Sequence, residues 1–124
     1  MKKIHTDKAP RAIGPYSQAM LVGNIVFTSG QIPIDPETGN IEASTIEAQT
    51  EQVCANLCAV LEAAGASTDS VIKTTCFLAD MADFAAFNGV YAKHVPSCPA
   101  RSCVAVKALP KGALVEIEAI AEIK

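Results

Sequence analysis

Pro99-Ala100-Arg101-Ser102-Cys103-Val104-Ala105-Val106 and, beyond a Leu109-Pro110-Lys111-Gly112 turn, Val115-Glu116-Ile117-Glu118-Ala119-Ile120 close the chain with two β-patterned runs. An arginine opens the first and carboxylates interrupt the second, so charges stand where a small domain normally places core. The two runs predict strands from Ala100 to Ala108 and from Ala113 to Ile123. Upstream, Val71-Ile72-Lys73-Thr74-Thr75-Cys76-Phe77-Leu78 is short and rich in β-branched and aromatic types, which predicts a third strand.

Between Leu78 and Arg101 the pattern changes to a helical one. Asp80 offers an N-cap, and Met81, Phe84, Phe87, Val90 and Tyr91 recur at helical spacing as an inward stripe with Asn88 beside it. Lys93-His94 suits the helix C-terminus, and Pro96-Ser97-Cys98-Pro99 ends it. An earlier helix is predicted from Ser44-Thr45-Ile46-Glu47, which has capping-box spacing. Its stripe is Ile46, Val53, Leu57, Val60, Leu61 and Ala64, and Gly65 is its stop.

Before that helix, Gly23-Asn24 separates two apolar runs, Ile13 to Val22 and Ile25 to Ser29, as in a β-hairpin. Residues 1–12 read as a leader strand or loop. The prolines of Gln31-Ile32-Pro33-Ile34-Asp35-Pro36 remove backbone donors and predict a loop or sheet edge. The order is β-β-α-β-α-β-β, an α+β or α/β layer with helices on one sheet face and right-handed crossovers. With 124 residues, one domain spanning 1–124 is expected.

Composition narrows the partners. Apolar residues are 50% of the chain, and its 7 glycines raise that to about 56%, above the about 45–50% of an ordinary soluble domain, so part of the apolar surface is expected to face another subunit. A net charge of −3 with 10 Lys and Arg gives no basic field for nucleic acid. No run approaches the ~20 apolar residues that cross a bilayer, and the first residues lack a signal peptide's apolar core, so a cytoplasmic protein is expected. The 5 cysteines, Cys54, Cys58, Cys76, Cys98 and Cys103, are odd in number and lack a CxxC pair, which favours reduced thiols over disulfides or a metal site.

Candidate chemistry rests on a few side chains. Arg101 has a fork of donors suited to a carboxylate, or to a structural ion pair. Glu116, Glu118 and Glu122 share one strand face, ordinarily a solvated one. Glu118, at mid-strand, is the one expected to be desolvated enough to position or deprotonate water. Gly30 permits a close backbone approach by a ligand, or marks a bulge. Tyr16, Ser29 and Asn88 have ordinary structural roles by residue type. Neither His5 nor His94 has a spacing that places a base near Cys103, which favours packing or a backbone role there.

Taken together, Ile13-Gly14-Pro15-Tyr16-Ser17-Gln18, Thr28-Ser29-Gly30-Gln31-Ile32-Pro33, Asn88, Pro99-Ala100-Arg101-Ser102-Cys103-Val104 and Glu116-Ile117-Glu118-Ala119-Ile120-Ala121 resemble the RidA (YjgF) family, in order and over nearly the whole chain. The resemblance implies a chorismate-mutase-like α+β fold, a mixed sheet with two helices on one face, assembled as a homotrimer with clefts between subunits. It implies a deaminase that hydrolyses 2-iminopropanoate and 2-iminobutanoate to 2-oxo acids and ammonia, with no cofactor and no metal. Arg101 would hold the carboxylate and Glu118 the water, with Tyr16, Ser29, Gly30, Asn88 and the backbone at Cys103 lining the cleft. Glu116 and Glu122 keep the solvated reading. Arg101 and Glu118 are expected to meet across a subunit boundary, and the short connection His94 to Pro99 to shape the rim. A small-carboxylate sensor, or a chaperone-like or RNA-directed protein on the same fold, is the alternative.

Overall fold

Register alone sorts the side chains of this chain onto two sheet faces, one covered by helices and one open. In the computed structural model, which describes residues 1–124, the strands are β1 (Lys2–Ile4), β2 (Ala19–Val22), β3 (Ile25–Thr28), β4 (Val71–Leu78), β5 (Ala100–Ala105) and β6 (Val115–Glu122). The helices are α1 (Ile46–Ala63) and α2 (Phe84–His94). The leader forms the added edge strand β1, and the predicted run from Ile13 pairs only from Ala19 onward. The sheet order is β1-β2-β3-β6-β4-β5. Only β4 and β5, which α2 joins, are parallel. The result is the expected mixed α+β sheet with two helices.

The α1 stripe is buried throughout: Ile46, Val53, Leu57, Val60 and Leu61 pack on Val26, Val115, Ile117, Ala119 and Ala121 in one core. Small residues at 119 and 121 let the helix approach the strand closely, and each large side chain so buried contributes about 1.5–3 kcal/mol. The N-cap is Thr45, one residue later than expected, with its Oγ1 accepting from Ala48 N at 3.1 Å. Counted from Thr45, the third helical position is Ala48, so Glu47 cannot complete a capping box and acts only as a first-turn acid. At the other end Gly65 has φ +87°. Gly65 N donates to Glu62 O and Ala66 N to Leu61 O, the paired bonds of a Schellman stop.

Asp80 caps as expected, its Oδ1 accepting from Ala82 N at 2.9 Å, but it caps a short 3₁₀ turn, Met81–Asp83, that leads into α2. Met81 therefore lies off the α2 stripe and is 42% exposed instead of inward. Phe87, Val90 and Tyr91 are buried.

β4 lies between β5 and β6, and its register fixes the site. Thr74 aligns with Arg101 and Ala119, Thr75 with Ser102 and Glu118, and Phe77 with Val104 and Glu116. Thr74 is buried and hydrogen-bonded to the Tyr91 hydroxyl of α2 at 2.7 Å, so the Arg101 row faces the helices. By the two-residue period, Glu116 and Glu118 face the open side. There Phe27 and Val104 are each 46% exposed and no helix covers them.

Candidate active site

Strand alternation delivers Arg101 to the helix side, where one stripe of α2 receives it. Its Nη1 donates to Asn88 Oδ1 at 2.8 Å. Its Cζ lies 5.0 Å from the Tyr91 ring centroid, 5.5 Å from Phe84 and 5.9 Å from Phe87. Residues 84, 87, 88 and 91 are spaced so that a helix shows them on one face. The chain's ion pairs are His5–Asp7 and His94–Glu51, so Arg101 has no carboxylate within 4.0 Å. Three ring faces and a neutral amide hold the cation without cancelling its charge. Asn88, Tyr91, Val95, Pro96, Cys98, Pro99 and Arg101 line a cavity of about 440 Å³ beside it.

A second cavity, about 320 Å³, is lined by Ile13, Tyr16, Ser29, Gly30, Ile32, Pro110 and Glu116. The Gly14-Pro15 bend turns Tyr16 back, and its hydroxyl accepts from Ile13 N at 3.2 Å. Ser29, also in the lining, donates its Oγ hydrogen to Ser17 O at 2.5 Å. A Cβ on Gly30 would overlap Glu116 Oε2 and lie 2.7 Å from its Cδ. The absence of a side chain at Gly30 is what lets the Glu116 carboxylate occupy this position. Gly30→Ala is expected to push the flexible Glu116 side chain out of the cavity, lowering activity at least tenfold while thermal unfolding moves by only a few degrees.

The two strand glutamates exchange their expected environments. Glu118 is exposed, while Glu116 is half-buried. The pKa of Glu116 is raised first by burial and then by the charge of Glu118. The reason is the loop after β3. Gln31 N donates to Ile117 O and Ile117 N to Gln31 O, an antiparallel bridge that carries the chain after β3 on along β6 and sets Gly30 against the Glu116 carboxylate. Alternation could not separate two residues on one face; the non-local Gln31 bridge does.

Cys103 packs its side chain partly into the core, and burial raises its pKa, which makes its thiol a poor nucleophile. β5 ends the sheet order, so one side of the Cys103 strand backbone has no partner in the sheet. Cys54 and Cys76 are pushed up to about 12, above all by burial, as packed thiols are.

Within one chain the expected site is thus in two parts. Tyr16, Ser29, Gly30 and Glu116 share one cavity, and Asn88 and Arg101 another. Arg101 and Glu118 are separated by β4 and lie in adjacent rows, on opposite faces. Two scaffold residues escaped the sequence reading. Buried Asn56 donates to the carbonyls of Ile32 and Ile34, holding the proline loop that walls the second cavity. Buried Gln18 accepts from Thr6 N and donates to Thr6 O and Pro10 O, fixing the leader. A polar residue inside an apolar pattern was their only signal.

A family model described as Endoribonuclease L-PSP matches residues 6–123. A RutC family protein of Pyrococcus abyssi is 55% identical over 95% of this chain and 94% of its own length. The chloroplastic Reactive Intermediate Deaminase A of Arabidopsis thaliana is 51% identical over 95% of this chain and 64% of its own. The solved RidA of an Antarctic Psychrobacter superposes with a TM-score of 0.95 at 48% identity, covering 99% of this chain and all of that one. With the same sheet, the same helical layer and matches along its whole length, the chain belongs to the Endoribonuclease L-PSP family, which includes the Rid deaminases and RutC proteins.

Proposed function

We propose that the protein hydrolyses small 2-imino acids, such as 2-iminopropanoate and 2-iminobutanoate, to 2-oxo acids and ammonia, in clefts formed between the copies of a homotrimer. The observation that carries the reading is Arg101: half-buried, cradled by three rings and an amide, and facing no carboxylate of its own chain. A structural ion pair would have supplied that carboxylate, and a substrate supplies it instead.

The assembly follows from the division of the site. The open sheet face carries Phe27 and Val104, and burying such surface against another copy is favourable. Packing that brings the Arg101 cavity of one copy to the Glu116 cavity of the next completes a cleft with an anion clamp at one end and a carboxylate at the other. The free edge of β5 at Cys103 adds backbone groups to it.

A protonated imine is already electrophilic, so the protein need only hold and orient it. Arg101 holds the carboxylate. Glu116, in place of the Glu118 first expected, takes a proton from water as its oxygen bonds to the imine carbon. The proton returns to nitrogen, the C–N bond breaks and ammonia leaves; Glu116 takes the carbinol O–H proton as the oxygen becomes the 2-oxo group and passes it to the departing ammonia, which leaves the cleft as ammonium. A carboxylate whose proton affinity is raised suits both directions of transfer. Tyr16, Ser29 and Gly30 shape the wall, and the deaminase named among the relatives supports the reaction class.

The test generates 2-iminobutanoate from threonine with a pyridoxal-phosphate-dependent dehydratase and follows release of 2-oxobutanoate and ammonia. Added protein is expected to accelerate release severalfold or more and to reduce trapping of the imine by semicarbazide. Binding of 2-oxobutanoate without acceleration would identify a carboxylate sensor and overturn the enzymatic reading.

A further inference from the structure

Three contacts close a triangle behind the Arg101 guanidinium. Thr74 of β4 and Arg101 of β5 are partners in the parallel register, so their side chains leave the sheet on the same face, toward α2. Thr74 is fully buried, and its Oγ1 is hydrogen-bonded to the Tyr91 hydroxyl at 2.7 Å. The Tyr91 ring centroid in turn lies 5.0 Å from Arg101 Cζ, nearer than either phenylalanine at 5.5 and 5.9 Å.

Tyr91 differs from the other two rings in how it is held. Phe84 and Phe87 are placed by apolar packing, which has no direction, whereas the Tyr91 hydroxyl makes a directional bond from the helix layer to the sheet. Asn88 precedes Tyr91 by three residues on the same helix face, and its Oδ1 accepts from Arg101 Nη1 at 2.8 Å. The Thr74–Tyr91 bond therefore fixes the rotation of α2 about its axis. With it are fixed both the ring on which the guanidinium lies and the oxygen that receives one of its N–H groups. The other side chain that reaches Thr74 Oγ1 is the Cys76 thiol, at 3.9 Å, and a thiol is a weak donor.

Resting on the imine-hydrolase reading, we infer that Thr74 is a positioning residue for the reaction: through the Tyr91 hydroxyl it aims the Arg101 guanidinium at the substrate carboxylate without touching the substrate. Two parallel N–H···O bonds to a carboxylate demand a set orientation of the guanidinium plane, and a misplacement of about 1 Å is enough to forfeit much of such a contact.

The test breaks the bond from either end without removing bulk. Thr74→Val keeps the shape of the side chain, and Tyr91→Phe keeps the ring on Arg101. Calorimetric titration with 2-oxobutanoate is expected to show affinity lowered roughly three- to tenfold in each, the effect of one net hydrogen bond. The double variant loses no more than either single one, because both substitutions break the same bond. Thr74→Ser, which keeps the hydroxyl, retains native affinity. In imine hydrolysis KM rises while kcat stays within about twofold, since Arg101 grips the carboxylate equally before and during the reaction. A hydroxyl with a merely structural role would lower the unfolding temperature and leave Kd unchanged. Native affinity in Thr74→Val and Tyr91→Phe, or losses that add in the double variant, would overturn the brace while leaving the Arg101 clamp standing. Failure of the unmodified protein to bind 2-oxobutanoate would overturn the underlying reading, and the brace with it.

Discussion

Glu116→Gln is expected to lower turnover of 2-iminobutanoate by roughly 10²- to 10⁴-fold, the range for loss of a positioned general base, with 2-oxobutanoate binding retained. Glu118→Gln, one β-period away on the same strand, is expected to change turnover by no more than a few-fold. The contrast follows from burial: on the one face they share, Glu116 lies half-buried beside Gly30 and Glu118 is exposed. The pH profile provides a second readout. Because burial and the Glu118 charge raise the pKa of Glu116, the acid limb of activity lies above the ordinary carboxylate range, with activity lost as pH falls through it. Removing the Glu118 charge shifts that limb to lower pH. For stability the sign is opposite. A raised folded-state pKa means that ionised Glu116 costs stability as pH rises from the unfolded to the folded value, so Glu116→Gln holds or raises thermal stability near neutrality. An inactive Glu118→Gln beside an active Glu116→Gln would reverse the assignment.

The parts of this fold carried by local chemistry could be read directly. Both α1 and β4 are set by periodicity and by the residues at their ends, and Arg101 stood out as a cation within an apolar strand. Ambiguity at helix ends and non-local contacts set the rest. The cap moved from Ser44 to Thr45 because two adjacent hydroxyl residues compete and the stripe leaves the register of the first turn open by one residue. Met81 left the core because Asp80 starts a 3₁₀ turn before α2 begins. The exchange between Glu116 and Glu118 depends on Gln31 bonding to Ile117, 86 positions away by their numbers, and no strand pattern encodes that contact. The division of the site into two cavities follows from β4 entering between β5 and β6.

The arginine cradle makes the second large prediction, because it separates holding a cation from neutralising it. Asn88 accepts from Arg101 through a neutral oxygen, and aspartate at that position keeps the acceptor and its geometry while adding a negative charge. Asn88→Asp is therefore expected to fold at least as stably as the native protein, with a charge-assisted bond in place of a neutral one. It is also expected to lose 2-oxobutanoate binding by roughly 10- to 100-fold, since Arg101 then carries its own carboxylate and charged hydrogen bonds are worth about 1.5–3 kcal/mol. Arg101→Gln reaches the same loss by removing the cation. Arg101→Lys restores little, because a point charge neither bridges a carboxylate with two parallel bonds nor stacks as a plane on Phe84 and Tyr91. A purely structural Arg101 predicts the opposite ordering: Asn88→Asp would be harmless to binding and only Arg101→Gln would matter, through stability. Calorimetric titration of the three variants with 2-oxobutanoate, beside their thermal unfolding, decides between the two. Native-like affinity in Asn88→Asp would remove the carboxylate from Arg101 and the imino acid from the proposed cleft.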